Sequence, residues 1–249
     1  MTAPLQFHTA ARNWRNITVT TVLSWLMKLM MAGLVPVEIY RGSYLFSAAI
    51  SFAVLVSLIP SLVRHNYNVT LPFEFDLLIT ISLFAHTFLG EGFDFYDRFW
   101  LWDKVLHLYG AAVIGLLAFV MAYTLHYTGK LRLTLPLIGL FTVVFALAAG
   151  AVWEMCEFGV DQLFARNTQK GLVNTMVDLI NDLIGGGVAA GLGMVYVRYK
   201  KTELRKRLDK PVGEVMGLGD RVDRIKEGMK ERRDRRRANR PFEGRDRRR

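Results

Sequence analysis

Seven ionisable side chains, Asp103, His107, Glu154, Glu157, Asp161, Asp178 and Asp182, stand in or at the ends of stretches apolar enough to cross a bilayer. A charge at the centre of a membrane helix costs about 2.5–3.5 kcal/mol on insertion scales, so such residues persist where they pair, line a wet cavity or do chemistry. Asp103 and His107 are four apart and share one helical face. Glu154, Glu157 and Asp161 fall within an arc of about 60° on a regular helix. Asp178 and Asp182 repeat the one-turn spacing, with Asn174, Thr175 and Asn181 around them. Carboxylates at one depth repel one another unless protons, basic side chains, water or a cation compensate. Carboxylate oxygens with one imidazole suit Mg, Mn, Zn or Fe. The expected metal ligands are Glu154, Glu157, Asp178 and Asp182. The expected catalytic groups are Asp103, His107, Glu154 and Glu157, with His107 as acid or base and Asp103 orienting it. A bound divalent ion would polarise a phosphoryl or carbonyl oxygen or activate water.

The helix dipole separates these residues. Asp103 and Asp178 sit near expected helix N-termini, where negative charge is favoured without any function. Glu157 and Asp161 sit near a C-terminus, where the dipole opposes them, so their presence needs another reason. The Glu-x-x-Glu and Asp-x-x-x-His spacings are of the kind helical bundles use for metals, but the Glu-x-x-His pair of di-iron proteins is missing.

These residues must be positioned by a membrane body. The chain has 249 residues, 52% of them hydrophobic, and a mean hydropathy of +0.23. A crossing takes roughly 20 apolar residues. Six candidates run at 17–36, 43–63, 76–91, 103–127, 134–159 and 176–197, the third being the shortest. The fold class expected is therefore all-α: a polytopic helical bundle over 17–197, a short segment 1–16 before it, and a basic tail, 198–249, after it. An even number of spans puts both termini on one side. Arg12, Arg15, Arg64, Lys130, Arg132 and the tail then share the cytoplasm, in line with the positive-inside tendency. The charged ends of spans four, five and six all fall on the opposite side, beside the acidic, aromatic segment 90–103. Phe93, Phe95, Tyr96, Phe99, Trp100, Trp102 and Trp153 read as an interfacial aromatic belt.

Other polar residues receive plainer readings. His86 and His126 read as satisfied or interfacial groups, and Lys28 as a snorkelling or paired lysine. Cys156, the only cysteine, points about 100° from the carboxylate face and reads as packing; a single cysteine excludes an intrachain disulfide. Gly185, Gly186, Gly187, Gly191 and Gly193, with Gly110 and Gly115, supply the small surfaces that let membrane helices approach closely.

Asp103-Lys104-x-x-His107, Trp153-Glu154-x-x-Glu157, Asp161, Asn167-x-x-Lys170, Thr175-x-x-Asp178-Leu179 and Asp182-x-x-Gly185 together resemble the YjdF-type family of bacterial inner-membrane proteins, itself distantly similar to VanZ-like proteins. The resemblance covers about residues 75–197. It implies a polytopic helical membrane protein in the bacterial cytoplasmic membrane and supplies no reaction. On the matching positions, Asp161, Asn167, Lys170, Asn174 and Thr175 join the expected site as polar groups around a substrate.

The charge is uneven. From Arg198 onward 21 Lys and Arg face 10 Asp and Glu, a net of +11, while the first 197 residues carry −1. Such a tail fits anionic lipid headgroups, at about 1 kcal/mol per basic residue near the surface. Nucleic acid is disfavoured, since only Phe242 interrupts the basic run as a stacking aromatic. Three functions stay open: a metal-assisted enzyme on a lipid or lipid-linked envelope substrate, an envelope protein whose acidic mouth binds a partner, and a cation- or proton-coupled transporter. The oligomeric state is not legible.

Overall fold

The computed structural model describes residues 19–67, 74–127, 130–199 and residue 231. The first sixteen residues and almost the whole basic tail, with the readings made of them, lie outside the described residues. Among the described residues the chain is helical. The order is α1 (Val19–Tyr40), α2 (Tyr44–Tyr67), α3 (Phe75–Phe84), a π-helical segment (Ala85–Glu91), α4 (Phe95–Arg98), α5 (Trp102–Tyr127), α6 (Leu135–Phe164) and α7 (Leu172–Tyr199).

Five helices, α1, α2, α5, α6 and α7, are long and apolar enough to cross a membrane. The expected third span is a 10-residue α-helix running into a 7-residue π segment. It falls short of the length that qualifies the others. Pro36 and Pro60 lie inside α1 and α2 rather than at their ends. Helices in apolar surroundings tolerate this because neighbouring groups re-satisfy the freed carbonyls. The last two helices outrun their predicted bounds, so Asp161 is within α6 and Asn174 and Thr175 are within α7.

The helices form two groups. α5, α6 and α7 pack tightly on one another, and α1, α2 and α3 form a second trio. α3 and the π segment join the groups by packing on α5. Close approach in the first group depends on missing side chains. A Cβ on Gly185 would run into the Leu108 carbonyl oxygen, and one on Gly150 into the Asp182 carboxylate. The expected glycine stripe is thereby divided. Gly185, Gly186 and Gly193 face neighbours, whereas Gly187 and Gly191 face open space.

Lys28 does not snorkel. It is 2% exposed and donates to Asp76 Oδ1 at 2.8 Å and Ser61 Oγ at 3.1 Å. Ser61 and Ser24 each donate to Asp76 at 2.6 Å. This ion pair ties α1, α2 and α3 together near the end of the trio opposite the π segment. It forms a second buried polar layer where the sequence suggested only scattered charges.

Candidate functional site

The first turns of α5 and α7 and the last three turns of α6 meet at one end of the bundle. Three consequences of helical spacing follow. Asp103, Lys104 and His107 descend along α5; Glu154, Glu157 and Asp161 along α6; Asn174, Thr175, Asp178 and Asp182 along α7. His107, Glu154, Thr175, Asp178 and Asp182 are buried, Asp178 completely.

His107 lies at the centre. Its Nδ1 is 3.2 Å from both carboxylate oxygens of Asp182, which Gly150 admits by lacking a side chain. Its Nε2 faces Glu154 Oε1 at 3.5 Å and Asp103 Oδ1 at 3.8 Å. Thr175 Oγ1 donates to Glu154 Oε2 at 2.7 Å, and Gln169 donates in turn to Thr175 at 3.1 Å. Lys104 lies 2.9 Å from Asp103 Oδ2 and 3.3 Å from Asp178 Oδ1, and also donates to the Asn174 side-chain oxygen. The Asn174 amide donates to Asp103 at 3.0 Å and to Asp178 at 2.5 Å.

Two oxygens in this network are stranded. Glu154 Oε1 and Asp178 Oδ1 are buried and accept no hydrogen bond. The 3.3 Å approach of Lys104 to Asp178 Oδ1 is an ion pair without hydrogen-bond alignment. An unsatisfied buried polar atom costs about 1–3 kcal/mol, and more when charged. The groups do not balance either. Among the described residues four carboxylates, Asp103, Glu154, Asp178 and Asp182, face one ammonium and one imidazole. Carboxylates outnumber basic groups by two, an excess that protons or a cation would offset. Asp103, His107 and Asp178 offer ligand atoms within 4.8 Å of one another. Their chemistry, two carboxylates and an imidazole, fits a Mg, Mn, Zn or Fe ion.

The expected ligand set is distributed differently. Glu154 is on the His107 Nε2 side of the cluster, with Asp103, while Asp182 lies against the other ring nitrogen and Asp178 against Lys104. Glu157 is partly exposed and accepts from Trp153 Nε1 at 2.9 Å. Asp161 folds the following loop. Its Oδ1 accepts from the Thr168 amide at 2.7 Å and hydroxyl at 2.6 Å, and its Oδ2 from the Gln169 amide at 2.9 Å. This loop leaves α6 through Ala165 at φ 50°, a left-handed conformation, and carries Arg166, Asn167 and Lys170.

Beside the cluster is a cavity of about 570 Å³, into whose wall Asp103, Glu157, Asn167 and Lys170 all enter. Its far wall is the start of α2, with Leu45, Phe46 and Ala49. Three residues of the cavity wall, His86, Tyr96 and Trp153, carry no site role in the sequence reading. His86 Nδ1 lies 2.5 Å from the Tyr96 hydroxyl, and its ring meets Trp153 edge-on at 5.0 Å. Burial first, and then the Asp103 charge, hold the Tyr96 phenol well above its ordinary pKa. Tyr96 and Trp153 had been assigned to the aromatic belt, yet they turn into the cavity. The seven-residue π segment beside them marks the place only in the structure, since π turns gather at functional sites and the sequence does not announce this one. Cys156, expected to pack, is exposed on the cavity wall.

No solved structure matches this chain. An uncharacterized protein of Thermotoga maritima is 36% identical over 118 residues, which is 46% of this chain. The chain spans 59% of that relative's length. The aligned family signature covers residues 22–199, all of the described helical body but its first turn, and the chain belongs to the family described as "Predicted membrane protein (DUF2238)".

Proposed function

We propose that this protein is a multi-pass protein of the bacterial cytoplasmic membrane whose acidic, histidine-centred cluster holds a divalent cation at the extracytoplasmic face and acts on a lipid or lipid-linked substrate. The observation that carries the reading is the pair of stranded oxygens, Glu154 Oε1 and Asp178 Oδ1, in a cluster where four carboxylates face one ammonium and one imidazole. His107 Nε2, Asp103, Asp178 and Glu154 would hold the ion. Asp182 sets the tautomer and orientation of His107, as carboxylates do for metal-bound imidazoles. The ion would supply Lewis acidity toward a phosphoryl or carbonyl oxygen. Asp103 belongs both to the cluster and to the cavity wall, so it links the ion to a substrate. Glu157, on the same wall, is placed to take a proton from water. The orientation rests on the basic tail, since before Arg198 the site end, with Arg41, Arg98, Lys104, Arg166 and Lys170, carries as many basic residues as the opposite end. That tail would hold anionic headgroups of the inner leaflet. The VanZ-like resemblance adds nothing to this reading.

The test is incubation of the detergent-purified protein with a bacterial lipid extract and Mn²⁺, with lipid species followed by mass spectrometry. A species that appears with wild type and not with Glu157→Gln supports the enzyme. Stoichiometric metal with no changed lipid sinks the enzyme and leaves a cation site.

Cation- or proton-coupled transport is the second reading, and the buried Lys28–Asp76 layer at the other end of the bundle supports it. That layer is internally satisfied by Ser24 and Ser61, unlike the acidic cluster, which is why the enzyme is preferred. Cation-dependent proton flux in proteoliposomes, lost in Asp76→Asn, would reverse the preference.

A further inference from the structure

Thr175 is the exception among the described buried threonines of the helices. Thr80, Thr87, Thr124 and Thr142 each turn the hydroxyl back and donate to the carbonyl four residues earlier, the usual local bond of a threonine within a helix. The carbonyl in that position for Thr175 is that of Gly171, and it is in helical register, accepting the Thr175 amide at 3.2 Å. The Thr175 hydroxyl nevertheless donates to Glu154 Oε2 on α6, at 2.7 Å. A hydroxyl has one hydrogen to give. Gln169 Nε2, a donor only, delivers its own hydrogen to Thr175 Oγ1 at 3.1 Å. With the amide turned over, that one hydroxyl hydrogen would face two acceptors, the Gln169 oxygen and Glu154 Oε2, so only this orientation satisfies all three groups.

Gln169 is held in place by the loop that carries it. The loop runs between two residues of left-handed backbone, Ala165 at φ 50° and Gly171 at φ 93°. On the α6 side, Asp161 accepts from the amides of Thr168 and Gln169. On the α4 side, Lys170 donates to the Tyr96 carbonyl at 3.2 Å, lies 5.5 Å from the centre of the Tyr96 ring and pairs with Asp97 at 3.9 Å. Both flanks of Gln169 are thus fixed, and its side chain reaches Thr175 in the first turn of α7. The relay from Gln169 through Thr175 occupies Glu154 Oε2. It leaves Oε1, the oxygen without a hydrogen bond, 3.5 Å from His107 Nε2.

We infer that Gln169 is a positioning residue for the cluster: by directing the Thr175 hydroxyl onto one oxygen of Glu154, it fixes the rotation of that carboxylate and presents the other oxygen beside His107 Nε2 as a cation ligand. The inference rests on the cation reading proposed above. It adds that the loop between α6 and α7, and not the three helices alone, sets the ligand geometry. Partners one step removed from a metal orient its ligands and contribute to its affinity. Asp161 thereby gains a reason for standing at the end of α6, where the helix dipole disfavours it: the loop it folds carries Gln169.

Calorimetric titration of Mn²⁺ into the full-length protein in detergent, stripped with EDTA and dialysed, reads this role. Thr175→Val should weaken binding about 10–100-fold, and Thr175→Ser, which keeps the hydroxyl, should stay within about twofold of wild type. Gln169→Met keeps the length of the side chain and the backbone bond to Asp161; it should weaken binding about tenfold, the lower end of the same range. In the Thr175→Val background Gln169→Met should cost nothing further, because a residue that acts through a hydroxyl has no effect once the hydroxyl is gone. A loop that only supports the fold would cost the same in both backgrounds, and that result overturns the inference. So does Gln169→Met binding as tightly as wild type. Wild-type protein that takes up no Mn²⁺ overturns the cation reading and this role with it, which separates the two failures. If Thr175→Val is poorly folded, Glu154→Gln serves as the background. Gln169→Met must again cost nothing further there, and an undiminished loss overturns the inference.

Discussion

Glu154→Gln tests the reading of the cluster because its effect should change sign with the metal. Glu154 is 4% exposed, one oxygen is bound by Thr175, and the other is stranded 3.5 Å from His107 Nε2. Without a cation, the stranded charged acceptor is a liability of about 1–3 kcal/mol. Gln keeps the shape and removes the charge, so the chelated variant should melt above wild type. At about 2–4 °C per kcal/mol for a chain of this size, the gain is about 2–12 °C. With Mn²⁺ or Zn²⁺ at a hundredfold excess over Kd, wild type gains about 2.7 kcal/mol from binding. That raises its midpoint by about 5–11 °C. The variant, lacking one of four ligands, should gain under about 1 kcal/mol, since a weakened site is far from saturated at the same concentration. The order of the two melting points therefore reverses on adding metal. The assay is thermal unfolding in detergent with EDTA and with titrated metal, supported by metal analysis of dialysed protein. A variant that melts below wild type in EDTA, with equal shifts for both on adding metal, would refute the idea that Glu154 is a waiting ligand.

Further expectations follow from the same geometry. Gly150→Ala drives a methyl group into the Asp182 carboxylate; it should cut metal affinity about 10–100-fold by releasing His107, measured by calorimetric titration. Lys104→Met removes the only ammonium that faces Asp103 and Asp178 among the described residues; it should destabilise the chelated protein by about 3–5 kcal/mol and make folding depend on metal, seen as a larger metal-induced melting shift. Lys28→Met or Asp76→Leu alone should each cost about 3–5 kcal/mol, whereas the double variant should be near neutral, since breaking a buried pair costs more than replacing it; a thermal-melting double-mutant cycle decides this. Ala165→Gly should stabilise by about 1 kcal/mol, because Ala165 sits at φ 50° where glycine is unstrained.

Much of the body was legible from hydropathy. α1, α2, α5, α6 and α7 coincide with five of six predicted spans, because each carries a run of apolar residues that only a bilayer or a core would hold. The sixth, at 76–91, misled in part. Its length was marginal, and nothing local announces that Ala85–Glu91 winds as a π-helix. The expected bounds fall short at residues 160–164 of α6 and 172–175 of α7, where polar residues end a hydropathy window but not a hydrogen-bond ladder.

Sequence spacing grouped the acidic residues by helix face, and tertiary structure set Glu157 on the cavity wall and Asp161 in the loop and left the others around His107. Periodicity puts Asp103 with His107 and Asp178 with Asp182 on single faces, because the helical repeat is a local property. Which nitrogen of His107 meets which carboxylate is a matter of helix rotation and approach. That depends on contacts 75 residues apart, such as His107 with Asp182. Lys104 was a neighbour in sequence but became a counterion only when α7 brought Asp178 and Asn174 against it. Likewise Lys28 found Asp76 across 48 residues, and Tyr96 and Trp153 turned from a belt into a cavity wall. Charge and hydropathy are carried by each residue along the chain, so the sequence declares a membrane protein with a polar site. Pairing is a relation between chain segments, and the packing of the helices on one another decides it.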